Sequence, residues 1–223
     1  MSSRKVSVVI AAYNAASTIE AAVLSALPEA DEVLVVDDAS TDGTHDHVMG
    51  IQEHPDKRLS VIHTKSKVPL GPVAARNLGI SFAVHPLIIC LDADDTFLEG
   101  GISALQANYS PNHFVYGGAI VDGKEQPGAP PGMIRQKNIA WLTWLFHVSD
   151  WRRVGGYSFR YAWGGESWAF MCALLAAGVQ ARQIPEFVFT YNQNVGQRVA
   201  VVRKHYPILL AQLRQDYPQV VNP

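Results

Sequence analysis

At 223 residues, with 48% hydrophobic and 17% charged side chains, the chain has the composition of a folded protein with a sizeable core and lies outside the disordered class. No apolar run approaches the ~18 residues that cross a bilayer, and the segment 6–12 ends at Tyr13-Asn14, too soon for the apolar stretch of a signal peptide, so a cytoplasmic location is expected. The net charge of −2 gives no uniformly basic surface but hides an asymmetry: 7 Lys+Arg stand against 14 Asp+Glu in residues 1–116, and 11 against 6 in residues 117–223.

The first half alternates strand and helix. Residues 6–11 form a continuous apolar run rich in β-branched side chains, the pattern of a strand covered on both faces. A helix follows, where Ser17-Thr18-Ile19-Glu20 matches a capping box. Strands are predicted over 32–36, running into Asp37-Asp38, and over 59–64, with a helix over 44–53 between them. Gly71-Pro72 opens a helix over 73–83, Pro being tolerated in a first turn. A fourth strand, 87–91, contains Cys90 and stops at Asp92-Ala93-Asp94-Asp95; a second capping box, Thr96-x-x-Glu99, predicts a helix directly after it. Repeated βα units of this length imply an α/β fold with a mostly parallel central sheet and helices on both faces.

The second half is less regular. A strand is predicted over 114–121, then a mobile loop over 122–133 with three prolines and three glycines. Residues 141–147 are ambiguous between helix and strand. Residues 166–177 read as a helix with Gly178 at its C-terminal cap, followed by a short strand over 187–191 and a final helix over 199–217. Cys172 lies on the apolar stripe of the 166–177 helix, so both cysteines read as buried, inert thiols.

Acidic clusters end two of the predicted parallel strands, and ligands of open α/β sheets bind at the carboxyl ends of strands, so Asp37-Asp38 and Asp92–Asp95 should share one rim. Three carboxylates in four residues repel one another if left unpaired. A divalent cation relieves this, and carboxylate oxygens are the hard ligands that Mg²⁺ or Mn²⁺ prefers.

Four segments taken in order, Val6-Ser7-Val8-Val9-Ile10-Ala11-Ala12-Tyr13-Asn14, Val35-Val36-Asp37-Asp38-Ala39-Ser40-Thr41-Asp42-Gly43-Thr44, Ala75-Arg76-Asn77-Leu78-Gly79 and Leu91-Asp92-Ala93-Asp94-Asp95, resemble the successive signatures of glycosyltransferase family 2. The resemblance covers residues 5–100 closely and 140–192 more loosely. It implies a Rossmann-like GT-A fold, one domain over 1–223 with a nucleotide-sugar half (1–116) and an acceptor half (117–223), and transfer with inversion from a nucleotide-sugar, typically UDP-linked. Ala12 and Tyr13 would then line the nucleotide pocket, Asp38 would bond the base, and Arg76 would contact the base or the diphosphate. Asp92 would sit near the ribose, Asp94 would coordinate a metal on the diphosphate, and Asp95 would share that task.

Inversion also needs a base that takes the acceptor's proton. Similar enzymes place it in an acidic pair at a helix start, usually Glu-Asp before an aromatic residue. Here the segment reads Gly164-Gly165-Glu166-Ser167-Trp168, so Ser167 stands where an Asp is usual and Glu166 is the candidate base. Asp150, a histidine, or a mere capping role for Glu166 are the alternatives. Gly164-Gly165 suits positive φ beside the acceptor. Trp141, Trp144, Trp151, Trp163 and Trp168 are either core or sugar-facing. Where similar enzymes place a third metal ligand, this chain offers Asn192, Asn194 and Gln197, with His205 further along. The acceptor is left open among a saccharide, a lipid-linked saccharide, a protein and an anionic partner such as a hydroxymethylated base in DNA. The altered base motif keeps a non-catalytic nucleotide-sugar binder as the alternative function.

Overall fold

A computed structural model describes residues 4–52, 58–135, 142–192 and 204–221. Its elements in chain order are β1 (Val6–Ala12), α1 (Ile19–Ala26), β2 (Glu32–Asp37), α2 (Thr44–Gln52), β3 (Leu59–His63), α3 (Pro72–Phe82), β4 (Leu87–Asp92), β5 (Thr96–Phe97), α4 (Gly101–Ala107), β6 (His113–Val121), β7 (Lys124–Gln126), β8 (Trp144–His147), α5 (Val148–Val154), α6 (Glu166–Ala176), β9 (Gln180–Tyr191), α7 (Tyr206–Asp216) and α8 (Pro218–Val221).

The described strands form one nine-stranded sheet in the order β3-β2-β1-β4-β8-β6-β9-β5, with β7 paired to β6. The β3-β2-β1-β4 side is parallel throughout, and β6 runs parallel to β9, so most paired residues are parallel. The two predicted halves share this sheet: β8 lies antiparallel between β4 and β6. Alternation along β1 explains the two cores. Val6, Val8, Ile10 and Ala12 pack with α1 and α4 on one face, while Val9 packs with α3 on the other, where α5–α8 complete the layer. Helices cover both faces, as the α/β reading requires.

Several expectations need correction. Thr96 does not start a helix: Thr96 and Phe97 form β5, opposite Thr190 and Phe189, and α4 begins at Gly101. The amides of Gly100 and Ser103 are instead capped from a distance, by the Glu29 carboxylate at 2.8 and 2.9 Å. Thr18 makes no side-chain cap to α1 either; its hydroxyl turns back to the Ala15 carbonyl. The expected 122–133 loop contains a hairpin, in which Asp122 and Gly123, both at positive φ, turn β6 into β7. The ambiguous 141–147 segment resolves as strand from Trp144 to His147; Trp141 lies outside the described residues.

β9 starts at Gln180, earlier than predicted, because its first half is polar and interrupted by Pro185. That proline sits where pairing with β6 slips, from Tyr116 opposite Gln183 to Gly118 opposite Phe187, so the ladder needs no donor from it. A Cβ at Gly117 would stand 2.4 Å from the Glu186 carbonyl, which explains the glycine there. The helix predicted over 199–217 is described as α7 and α8 from Tyr206 on; its first residues lie outside the described segments.

Candidate active site

The two acidic strand ends do share a rim. β1 lies between β2 and β4, with Ala12 opposite Asp37 on one side and Ala11 opposite Asp92 on the other. Beside it, Ala11, Ala12, Tyr13, Asp38, Pro69, Gly71, Pro72 and Ala75 line a small cleft of about 90 Å³. The sequence-predicted residues Ala12, Tyr13 and Asp38 therefore meet at one place. Tyr13 is half exposed, and Asp38 is buried. The Asp38 carboxylate accepts the amides of Leu70 (2.9 Å) and Gly71 (2.7 Å) and the Thr64 hydroxyl (3.3 Å). It thus closes the loop that leads into α3, and its carboxylate retains acceptor capacity for a base N–H.

Arg76 is no surface residue. It is 3% exposed, and its two terminal nitrogens reach in opposite directions: Nη2 to Asp92 Oδ1 at 2.6 Å and Nη1 to Glu166 Oε1 at 3.0 Å. The Tyr157 ring lies 5.7 Å from the guanidinium carbon. Burial works against the charged form, but Asp92 and Glu166 outweigh it and hold the guanidinium charged more firmly than usual. Within the chain, Arg76 thus spans from the β4 aspartates to the predicted base Glu166.

The rest of the Ala75-Arg76-Asn77-Leu78-Gly79 motif has structural work that sequence reasoning left unassigned. Asn77 Oδ1 accepts the Tyr157 amide (2.9 Å) and Trp151 Nε1 (3.0 Å), while its amide donates to the Tyr157 carbonyl (2.8 Å). This clamps the Gly155-Gly156-Tyr157 turn that precedes α6. Gly79 lets α3 settle on the sheet, where a Cβ would stand 2.5 Å from Val9 Cγ1.

Asp92, Asp94 and Asp95 each offer an oxygen within 4.8 Å of the others. Asp95 is 1% exposed; its Oδ1 accepts the Asn192 amide at 2.9 Å and its Oδ2 is buried without a hydrogen-bond partner among the described residues. Burial, with Asp92 beside it, pushes the Asp95 carboxyl up to about 8, and the same causes raise Asp94. A buried, unpartnered carboxylate oxygen among like charges fits a cation better than it fits water. Asn192 supports the turn, its side-chain amide donating to the Asp94 carbonyl and its main chain to Asp95. Asn194 and Gln197 lie outside the described residues, and His205 packs edge-on to Trp163.

Glu166 opens α6 and is 8% exposed. Gly164 and Gly165 both take positive φ, and a Cβ at Gly165 would meet the Leu209 side chain at 2.5 Å. Ser167 is half-buried next to it. Asp150, the alternative base, is held by Arg153 at 2.8 Å within its own helix. Trp144 and Trp168 are fully buried in the core, whereas Trp151 and Trp163 are partly exposed. Cys90 and Cys172 are buried free thiols, pushed up to about 11 and about 12 by burial, which makes them inert.

A Rossmann-like sheet with an acidic metal-type rim at the end of its central parallel strands defines the GT-A class of nucleotide-sugar enzymes. Residues 7–176 match the profile of Glycosyl transferase family 2, and the chain belongs to that family. It is 31% identical over 194 residues to the Escherichia coli UDP-Glc:alpha-D-GlcNAc-diphosphoundecaprenol beta-1,3-glucosyltransferase WfaP, covering 79% of this chain and 72% of that one. It is 45% identical over 102 residues to the succinoglycan biosynthesis protein ExoU of Rhizobium meliloti, 45% of this chain but only 29% of ExoU's length. Among solved structures, S. aureus TarS 1–349 superposes with a TM-score of 0.69 at 16% identity, over 93% of this chain and 64% of that one. The mannosyltransferase PcManGT from Pyrobaculum calidifontis, in complex with GDP-Man and Mn²⁺, gives 0.67 at 22%, over 97% and 72%. These two likenesses concern the fold.

Proposed function

We propose that the chain is an inverting glycosyltransferase that moves a sugar from a nucleotide-sugar, in the first instance UDP-linked, to an acceptor hydroxyl, with Mn²⁺ or Mg²⁺ on the diphosphate. The observation that carries this reading is the convergence of Asp92, Asp94 and Asp95 at the β4 end, tied through Arg76 to Glu166. Family membership supports it, as do the UDP-glucose donor in WfaP's name, the TarS complex with UDP-GlcNAc and the PcManGT complex with Mn²⁺. We read the chain as one catalytic unit, with donor chemistry in 1–116 and acceptor chemistry in 117–223.

In this mechanism Asp94 and Asp95 hold the ion. When bound, it supplies Lewis-acid neutralisation of the leaving diphosphate. Ala12 and Tyr13 border the nucleotide, Asp38 accepts the base N–H, and Asp92 faces the ribose. Glu166, hydrogen-bonded to Arg76, takes the proton of the acceptor hydroxyl. The acceptor oxygen bonds to the anomeric carbon from the face opposite the diphosphate. The old carbon–oxygen bond breaks with its electron pair leaving on the nucleoside diphosphate, so configuration inverts. The excess of basic residues in 117–223 suits a diphosphate-bearing acceptor, and a lipid-linked saccharide of the kind in WfaP's name is the first to assay.

A second reading, a non-catalytic nucleotide-sugar binder, is favoured by Ser167 and by the Arg76 contact on Glu166. One assay separates the two. Purified protein is incubated with Mn²⁺, a panel of sugar nucleotides and saccharide or lipid-linked acceptors, and nucleoside diphosphate release is followed. Turnover that Glu166→Gln abolishes while donor binding persists supports the enzyme; binding without release across the panel leaves the binder. Asp94→Asn removes metal-dependent donor binding under either reading.

A further inference from the structure

We propose a second metal site, separate from the aspartates of the β4 end, formed by Asp37, His45 and His63 and selective for a borderline transition ion such as Zn²⁺. Each residue offers one ligand atom within 4.8 Å of the other two. His63 Nδ1 lies 3.0 Å and His45 Nδ1 3.8 Å from Asp37 Oδ2, and the two rings are 4.9 Å apart. The Asp37–His63 separation is that of neighbouring ligands around an ion with bonds of ~2.0–2.2 Å, and His45 Nδ1 stands somewhat further out.

Hydrogen bonding does not explain the cluster. Asp37 is fully buried, and its Oδ2 has no hydrogen-bond partner among the described residues despite the 3.0 Å approach of His63, so that nitrogen is close without being aligned to donate. His45 Nδ1 is likewise buried at the atom and without a hydrogen-bond partner among the described residues. Three close donor atoms with no hydrogen bond among them are arranged to bond a fourth. The other Asp37 oxygen is already committed, accepting the Ser40 amide at 3.1 Å, a fixed orientation of the kind seen behind metal-bound carboxylates.

Topology brings the three together. Asp37 and His63 are register partners at the ends of β2 and β3, and His45 lies in the first turn of α2. The site is not the donor cleft: Asp38, next in the chain, turns instead to Leu70 and Gly71. The His45 and His63 side chains remain 41% and 52% exposed, which leaves a route for the ion and room for water to complete its shell. Two imidazoles and one carboxylate suit Zn²⁺ or Co²⁺, whereas Mg²⁺ prefers an all-oxygen shell. A bound ion would tie β2, α2 and β3 together just behind the turn that carries Asp38.

The test uses the full chain without an affinity tag, in saturating Mg²⁺ to occupy the β4 aspartates, titrated with Co²⁺ and with Zn²⁺. The expected result is one equivalent of Co²⁺ per monomer, visible as d–d absorption, and a rise in Tm with Zn²⁺. His45→Ala, at a part-exposed position, and His63→Ala, at an exposed one, should each weaken binding by roughly 100-fold or more, since removing a ligand costs at least as much as the 10–100-fold of losing its supporting contact. Asp94→Asn should leave this binding intact while losing the Mn²⁺ response, so the fate of this site and that of the glycosyltransferase reading are read separately. Equal uptake by wild type and both histidine variants, no uptake under Mg²⁺, or binding only as a metal-bridged dimer would each overturn the proposal.

Discussion

Arg76 shows how much a single side chain can carry in this protein. It is buried between two carboxylates that belong to different halves of the chain, and its planar fork serves both at once. Arg76→Ala removes this buried charge from beside Asp92 and Glu166, and breaking a buried pair costs about 3–5 kcal/mol, a loss that urea unfolding would register. Arg76→Lys keeps the charge but has a single ammonium to offer, so turnover should fall further than stability. Asp95 gives a pH prediction at the same scale. Its folded value of about 8 lies above the ordinary carboxylate range, so in the metal-free chain its stabilising contribution is full below about 4 and is lost as pH climbs through about 8. A cation binds the ionised form and reverses that preference. The Tm increment from Mn²⁺ is therefore expected to grow between about pH 6 and about pH 8.5 in thermal-shift scans, and to flatten in Asp95→Asn. An increment that shrinks over this window would remove Asp95 from the ion's ligands.

Among the elements, α6 is placed by what surrounds its start. Gly165 stands at φ +81° with Leu209 of α7 against it, and Asn77 of α3 clamps the preceding turn. Gly165→Ala would strain the backbone by about 1–3 kcal/mol and displace Glu166, so turnover should drop with little change in donor affinity. Glu29→Ala uncaps α4 from outside its own sequence; a loss of about 1 kcal/mol in urea denaturation is expected, as for an ordinary cap. The same elements show what a linear reading could see. The strands β1 to β4 and the helices between them were legible because β-branched runs and helical spacing are local signals. Thr96-x-x-Glu99 matches a capping box and so reads as a helix start, yet pairing of β5 with β9 outweighs that local signal. The first half of β9 was missed because edge-like polar residues and Pro185 carry no strand periodicity.

For the molecule as a whole, the acidic first half and basic second half predict how an acceptor is met. Transfer to a diphosphate-bearing acceptor should weaken markedly as salt is raised, through KM, while transfer to a neutral saccharide should change little. Equal salt profiles for the two acceptors would count against recognition of charge by residues 117–223. Among the described residues no helix is long and apolar enough to cross a membrane.

By itself, the sequence determined the α/β class, the family and the shared acidic rim. These rest on periodicity and on short motifs whose residues lie close along the chain. Only the tertiary structure decided that Arg76 couples Asp92 to Glu166, that Asn77 holds the turn before α6, and that His45 and His63 converge on Asp37. Those contacts join residues up to 90 positions apart. Strand order and register create them, and neither is written in the local pattern of the residues that meet.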